Sequence, residues 1–108
     1  MLNLFSLPHP LPALEGFDDL IPDNGVKIER IISTGQITPE GEWIDQDRDE
    51  WVVLLQGHAK VEYLNGHTLS LQSGDHILIP AHQKHRVGYT SADRPCIWLA
   101  VHGPLIAR

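Results

Sequence analysis

The alternation of apolar and polar positions predicts a chain built mainly from β-strands. From residue 26 onward, about seven short apolar or alternating segments follow one another at spacings of about 8 to 12 residues, separated by turn-forming residues. The segment EWVVLLQ (50 to 56) is a nearly continuous apolar run, and VKIERIIST (26 to 34) alternates. Such a series without intervening helical patterns predicts an all-β fold, a sandwich or a small antiparallel β-barrel.

The clearest turn signal is the pair Asn65-Gly66, which lies between AKVEYL and HTLSLQ. Both residues tolerate the positive φ values that a type I′ turn requires. The sequence therefore predicts a two-residue β-hairpin at this point.

The N-terminal residues carry a different pattern. Pro8, Pro10 and Pro12 fix φ and lack an amide donor, so residues 1 to 13 are expected to run extended over a surface. Residues 13 to 21, ALEGFDDLI, have the spacing of a short amphipathic helix, which Gly16 weakens and Pro22 ends. We therefore predict an arm at residues 1–25 that packs on one barrel domain at residues 26–108.

Composition and charge narrow the functional classes. The 108 residues suffice for one core, and 14 acidic against 8 basic side chains give a net charge of -6. No basic run could follow a phosphate backbone, so nucleic acid is a poor candidate partner. No apolar stretch reaches the length of a membrane span, and the single cysteine, Cys96, cannot form an intramolecular disulfide. These features predict a cytoplasmic protein without a membrane partner.

Side-chain alternation places polar groups inside the predicted barrel. If residues 44 to 55 are extended, Gln46 and Glu50 lie on the same side as Val52 and Leu54. That side is a candidate interior, and Gln46 and Glu50 are then candidate site residues.

The opposite side of this strand is also apolar, because it carries Trp51, Val53 and Leu55. Together with Trp43 and Trp98, it makes more apolar surface than so small a barrel can cover. We therefore expect a C2 homodimer.

Two histidines, His82 and His85, follow the apolar run HILIP (76 to 80). Their odd spacing would put them on opposite faces of a straight strand. A bend after Pro80 would let both imidazoles face one opening, and a solvated turn position is the alternative for His82.

The same region resembles a known family. A glycine followed after five residues by proline, and by a metal-binding histidine five further on, is the second motif of the cupin superfamily, and Gly74, Pro80 and His85 match it. His82 stands where that motif usually has glycine.

The first cupin motif is matched in part. Its glutamate and the glycine that follows after six residues correspond to Glu50 and Gly57. Its two histidines are replaced by Ile44 and Gln46. The resemblance covers roughly residues 26 to 103 and implies a small antiparallel β-barrel of the jelly-roll type, a double-stranded β-helix.

The resemblance also implies a divalent transition metal near the barrel mouth. It would place Gln46, Glu50 and His85 around the metal, with His82 as a fourth donor. Such a mixed donor set suits Fe(II), Mn(II), Ni(II) or Zn(II). The alternative is a metal-free polar cavity of hydrogen-bonded side chains.

The expected ligand is a small polar organic molecule. If the protein is an enzyme, a reaction of the dioxygenase, isomerase or decarboxylase type is expected, with Glu50 as a possible acid or base. The alternative is a non-catalytic binding or sensing module, because one fold hosts both functions.

Three aspartates resemble the beginning of a calcium loop. Asp45, Asp47 and Asp49 have the EF-hand spacing, but Glu50 and Gln56 occupy the positions that need glycine and glutamate. We expect Asp47 and Asp49 to be solvated at the barrel rim and Asp45 to support the site from behind.

Other reactive side chains receive structural interpretations. Cys96 is expected to be a buried thiol, and Arg86 an exterior ion-pair partner. Tyr89 shares the parity of His85 and Val87, so it either lines the cavity or packs in the core. The remaining histidines are expected at the surface or in hydrogen bonds: His9, His58, His67, His76 and His102.

Overall fold

The computed structural model describes residues 3 to 108 and contains eight β-strands. They are β1 (Gly16–Ile21), β2 (Lys27–Ser33), β3 (Asp49–Gln56), β4 (Ala59–Tyr63), β5 (Thr68–Leu71), β6 (His76–Ile79), β7 (His85–Thr90) and β8 (Cys96–Gly103). A five-stranded sheet has the order β1-β2-β8-β3-β6, and a three-stranded sheet has the order β5-β4-β7. All pairings are antiparallel, which confirms the predicted all-β, jelly-roll-like fold.

The core lies between the two sheets, and strand alternation determines which side chains enter it. On β3, Val52 and Leu54 are buried together with Glu50, as the alternation predicted. Apolar neighbours from both sheets complete the core, namely Ala59, Val61, Leu71, Ile79, Cys96, Trp98 and Ala100. The prediction that Cys96 is a buried thiol is therefore confirmed.

The predicted short helix at residues 13 to 21 is wrong. Residues 16 to 21 form β1, which pairs with β2 from Gly16 opposite Ile32 to Ile21 opposite Ile28. A free strand edge on β2 offers these residues backbone hydrogen bonds, and this tertiary pairing outweighs a weak helical preference. No helix long and apolar enough to cross a bilayer occurs between residues 3 and 108.

The arm that precedes β1 follows the outside of β2. The Arg30 guanidinium donates hydrogen bonds to the carbonyl oxygens of Leu4 and Ser6, at 3.1 and 2.6 Å, and to the Asp18 carboxylate. Residues 1 and 2 of the predicted extended segment lie outside the described residues.

The predicted hairpin between β4 and β5 is present, but its turn differs. Gly66 has a φ of 96°, whereas Asn65 is not among the residues with positive φ. The Gly66 amide donates to the Tyr63 carbonyl at 2.9 Å, and the Tyr63 amide donates to the His67 carbonyl at 2.8 Å. The connection is thus a three-residue loop that ends in a left-handed glycine, in place of the type I′ turn.

β7 contains one residue more than the strand beside it. Val87 lies opposite Val61 and Tyr89 opposite Lys60, so Gly88 has no partner in the register. This β-bulge reverses the alternation of the residues that follow. Tyr89 is consequently 46% exposed, and the expectation that it lines the cavity or packs in the core is wrong.

The bulge also makes room for an ion pair on the outer face. Arg86 donates to Glu62 at 2.8 Å and to the Thr38 carbonyl at 2.7 Å. A side chain at Gly88 would collide with the Glu62 carboxylate. The prediction of an exterior ion pair at Arg86 is confirmed.

The three tryptophans occupy different environments. Trp98 is only 4% exposed, and its Nε1 donates to Ser33 Oγ at 3.1 Å, so its expected contribution to an outer surface is wrong. Ser33 lies on the inner face of β2 and draws the indole inward. Trp43 and Trp51 do reach the surface.

Asp49 is not the solvated rim residue that the sequence suggested, because it is 1% exposed. Its carboxylate accepts hydrogen bonds from the amides of Ala81, Leu105 and Ile106 and from the Arg108 guanidinium. These bonds, with that from Arg108 foremost, hold the pKa of Asp49 far below its usual range. Asp49 therefore ties the segment after β8 to the loop between β6 and β7.

Candidate functional site

A cavity of about 280 Å³ opens between the inner faces of the two sheets. Most of its wall is apolar and consists of Phe17, Ile31, Ile44, Val52, Val61, Ile79, Val87 and Trp98. Six polar residues also line it, namely Glu15, Glu29, Gln46, Glu50, His85 and His102. This combination of an apolar wall and a compact polar group is typical of sites for small organic ligands.

The structure brings Gln46, Glu50 and His85 to this one cavity, although they lie on different segments. Glu50 enters from β3 and His85 from the beginning of β7. Ile44 forms a β-bridge with His85, with N to O distances of 2.7 and 3.1 Å, and this bridge holds residues 44 to 46 against β7. Gln46 follows two residues later and therefore points to the same interior.

The structure does not bring His82 to the cavity, in contrast to the expectation that a bend after Pro80 would do so. The bend exists, because the Gln83 amide donates to the Pro80 carbonyl at 3.1 Å. His82 has a φ of 64°, the left-handed conformation that glycine adopts easily, and it stands at the motif position usually held by glycine. This backbone directs its imidazole outward, where the side chain is 66% exposed.

Asp45 is also turned away from the expected supporting role. Its carboxylate is 2.8 Å from Nδ1 of His82, and the two side chains form an exposed pair at the surface. Asp45 therefore stabilises the outward position of His82 and does not hydrogen-bond to Gln46, Glu50 or His85.

Two site residues were missed by sequence reasoning. His102 Nε2 is 2.7 Å from Glu29 Oε2, and both side chains are largely buried in the cavity wall. The signal was present in the sequence, because His102 continues the inward series of Trp98 and Ala100 on β8. Glu29 likewise precedes inward-facing Ile31 by two residues on β2.

The two glutamates have opposite electrostatic environments. Burial raises the pKa of Glu50, and the nearby imidazoles of His102 and His85 and the Gln46 amide only partly oppose this shift. The hydrogen bond with His102, together with the Lys27 ammonium, lowers the pKa of Glu29 despite its burial. Pairs of carboxyl groups with divergent pKa values are typical of acid and base partners in active sites.

Two side chains interact electrostatically with Glu50, namely those of His85 and Tyr63. His85 Nδ1 is 2.9 Å from the Gln83 carbonyl oxygen. Because a carbonyl can only accept, Nδ1 carries the proton and Nε2 remains available to a ligand. Burial raises the pKa of the Tyr63 hydroxyl, and the charge of Glu50 acts in the same direction.

These residues do not form a complete metal site. Among residues 3 to 108, no group of three or more His, Cys, Asp and Glu side chains is arranged to hold a metal ion. His82, the expected fourth donor, lies at the surface and is paired with Asp45. Without His82 the expected four-donor set is incomplete, so the divalent metal implied by the resemblance does not fit this donor arrangement.

Comparison with known proteins agrees with the fold. The model of the cupin domain family matches residues 31–102. A crystal structure of a candidate mannose-6-phosphate isomerase from Ralstonia eutropha JMP134 is 42% identical in sequence, with a TM-score of 0.88 over 96% of this chain and 97% of that one. A search of curated proteins gave no match.

More distant structures share the fold alone. A protein from Thermus thermophilus has a TM-score of 0.76 at 20% identity and covers 96% of each chain. A cupin superfamily protein from Desulfitobacterium hafniense DCB-2 has a TM-score of 0.70 at 18% identity, over 95% of this chain and 99% of that one.

Proposed function

Because this chain belongs to the cupin family, we propose that it binds a small polar organic molecule in the cavity between its two sheets. The observation that carries the proposal is the cavity itself, in which one cluster of polar side chains faces an apolar wall. Its volume lies just below the range of roughly 300–1,000 Å³ common for ligand pockets, so a compact metabolite-sized molecule fits best.

The polar residues have complementary hydrogen-bonding abilities. Nε2 of His85 accepts, the Gln46 amide donates and accepts, and Glu50 accepts in either state and donates when protonated. A ligand hydroxyl group can donate to Nε2 of His85 and accept from the Gln46 amide and from protonated Glu50, whereas a ligand carbonyl group can only accept and leaves His85 unpaired. The burial of Glu50 is unfavourable when it ionises, and such groups are concentrated in functional sites.

A second candidate function is catalysis of proton transfer within the bound molecule, an isomerase-type reaction. Glu50 and His102 are direct cross-strand partners, so their Cβ atoms are about 5 Å apart. His102, held by ionised Glu29, would remove a proton from a carbon beside a carbonyl group, while Glu50 would protonate the carbonyl oxygen. Where that carbon bears a hydroxyl group, the product of this step is an enediol. His102 would then return the proton to the former carbonyl carbon while the Glu50 carboxylate takes the proton of the former hydroxyl group, which gives the isomeric carbonyl compound and restores both residues. The 42% identical structure described as a candidate isomerase supports this assignment.

Ligand binding is tested first by screening small polar metabolites with NMR, using the wild-type chain. Glu50→Ala and His85→Ala should each weaken binding of any hit by about tenfold or more, since each removes a buried hydrogen-bonding group. Glu40→Ala, at an exposed loop, is the matched control. If both site variants bound the hit as tightly as the wild-type chain, the proposal would be contradicted.

Catalysis is tested in deuterated water with hits that contain a carbonyl group beside a hydroxyl-bearing carbon. Incorporation of deuterium at that carbon reports proton abstraction. Glu50→Gln and His102→Gln should abolish incorporation while the fold is retained. Incorporation that persists in both variants would place the chemistry elsewhere.

The metal prediction has a separate test. Metal analysis of protein purified without added metal, repeated on His85→Ala, determines whether Gln46, Glu50 and His85 hold an ion together. A stoichiometric metal that is lost in the variant would show that the donors rearrange around it. Absence of metal from both proteins would agree with the donor geometry.

We also propose that the outer face of the five-stranded sheet pairs with a second copy. Trp51, Leu78 and Val101 lie in neighbouring register on this face, and Leu78 is exposed. Sedimentation velocity should give a dimer, and Leu78→Asp should shift the wild-type sedimentation coefficient to that of a monomer. A monomeric wild type at high micromolar concentration would contradict the proposal.

A further inference from the structure

An outer cleft of about 570 Å³ adjoins the inner cavity. Four residues line both spaces and therefore form the boundary between them, here called the neck: Phe17, Glu29, Gln46 and His102. A ligand that enters through the cleft passes the neck before it reaches Glu50. The charges of the cleft and neck thus select which molecules can enter.

The cleft is predominantly acidic. Four carboxylates line it, namely Asp19, Glu29, Asp45 and Asp47. The chain as a whole carries a net charge of -6, which adds to the negative potential. An approaching anion is therefore repelled, whereas a cation is attracted.

The two cations of the cleft are already engaged with carboxylates. Lys27 Nζ is 4.0 Å from Asp19 Oδ1 and 3.8 Å from Glu29 Oε1. Arg48 Nη1 is 3.1 Å from Asp23 Oδ2. A phosphate or carboxylate that approaches either side chain would compete with these carboxylates and be repelled by them.

The inner cavity has no built anion site either. None of its lining residues is Lys or Arg, and residues 3 to 108 contain no helix whose N-terminus could bind a phosphate. The Glu29 carboxylate lies in the wall, and a desolvated anion beside it would meet a like charge. A hydroxyl or ammonium group would instead donate a hydrogen bond to the same carboxylate.

Building on the proposed function, we infer that the ligand carries no negative charge and presents a hydrogen-bond donor, a hydroxyl or an amine, to Glu29 at the neck while its apolar body contacts the cavity wall. The site therefore rejects phosphorylated sugars. This substrate class differs from the one named for the 42% identical structure, mannose 6-phosphate.

The experiment uses three probes of nearly equal shape, namely benzylamine, benzyl alcohol and benzoate, with mannose and mannose 6-phosphate as a second matched pair. Affinities are measured by NMR titration of the full chain at low salt. Benzylamine should bind about tenfold or more tightly than benzoate, with benzyl alcohol between them, and mannose should exceed mannose 6-phosphate.

Two variants locate the origin of the preference. Glu29→Gln should cause the largest fall in the ratio of benzylamine affinity to benzoate affinity, because it removes the carboxylate at the neck. Asp47→Asn lies at an exposed position and cannot disturb the core, so it keeps the test valid if Glu29→Gln unfolds. It should lower the ratio by a smaller, salt-sensitive amount, whereas the exposed control Glu40→Gln should leave it unchanged.

The possible failures are distinguishable. Benzoate or mannose 6-phosphate binding at least as tightly as its uncharged counterpart would overturn this inference and leave small-molecule binding intact. A wild-type chain that binds none of the probes and no metabolite would overturn the proposed function and the inference with it.

Discussion

Comparing alanine substitutions at Gly57 and Gly66 tests how closely the turn after β3 packs against the core. Both glycines have nearly the same positive φ, 94° and 96°. A Cβ atom at Gly66 would meet nothing within 4 Å. At Gly57 it would lie 2.8 Å from Cys96 Sγ, 2.9 Å from Ser91 Oγ and 3.0 Å from Cys96 Cα.

Alanine at the two positions should therefore have unequal effects. Gly66→Ala should lower the free energy of unfolding by about 1–2 kcal/mol, because a side chain disfavours the left-handed conformation. Gly57→Ala incurs the same conformational cost and a further ~1–3 kcal/mol for overpacking. Part of the clash is with backbone, so rotation of the Cys96 side chain cannot relieve it fully.

Urea unfolding of the two variants beside wild type isolates the steric part as a difference. With ordinary m-values for a small domain, the midpoint of Gly57→Ala should lie roughly 1 M below that of Gly66→Ala. Adding Cys96→Ala to Gly57→Ala should recover part of this gap, since it removes the nearest atom. Midpoints that agree within error for the two single variants would refute the reasoning.

Three further predictions concern the site and its supports. Glu50 has a raised folded pKa, so its contribution to stability is fully present below about 4.5 and is lost as the pH rises through the folded value; Glu50→Gln should become progressively more stable than wild type by urea midpoint between pH 4 and 8. Asp49 has a lowered folded pKa, so its contribution is present above 3.8 and is lost as the pH falls; Asp49→Asn should have a lower urea midpoint at pH 7, and the gap should narrow in acid. Val87→Ala should weaken binding of a cavity ligand, whereas Tyr89→Ala should leave it unchanged by NMR titration.

The sequence was most informative where a strand keeps its alternation without interruption. From Glu50 to Leu54 no bulge intervenes, so parity alone placed Glu50, Val52 and Leu54 on the inner face. The same rule failed beyond Gly88, because a bulge depends on register with another strand and leaves no local signature.

Other errors arose from interactions between distant segments. β1 forms because β2 offers an edge, and no property of residues 13 to 21 alone reveals that partner. Asp49 resembled a rim residue until the segment near Arg108 supplied its hydrogen-bond donors. His102 was recoverable from alternation along β8, but a polar residue near a strand end is ordinarily solvated, so its inward position was overlooked.

His82 shows the limit of a family motif. The resemblance correctly identified the position as one that usually holds glycine, and the structure has the left-handed backbone that glycine would adopt. Treating its imidazole as a donor ignored the direction that this backbone imposes.

The bulge at Gly88 divides β7 into two halves that contact different parts of the protein. Before Gly88, His85 and Val87 line the inner cavity. After it, Thr90 turns inward and its hydroxyl donates to the Gln36 carbonyl at 2.6 Å, fastening the long connection between β2 and β3. Because the two halves have different contacts, substitutions that change the shape of the inner cavity can occur in the first half without breaking the hydrogen bond that the second half makes to the connection between β2 and β3. Deleting Gly88 would remove the bulge, so the side chains after it in β7 would each point to the opposite face of the sheet.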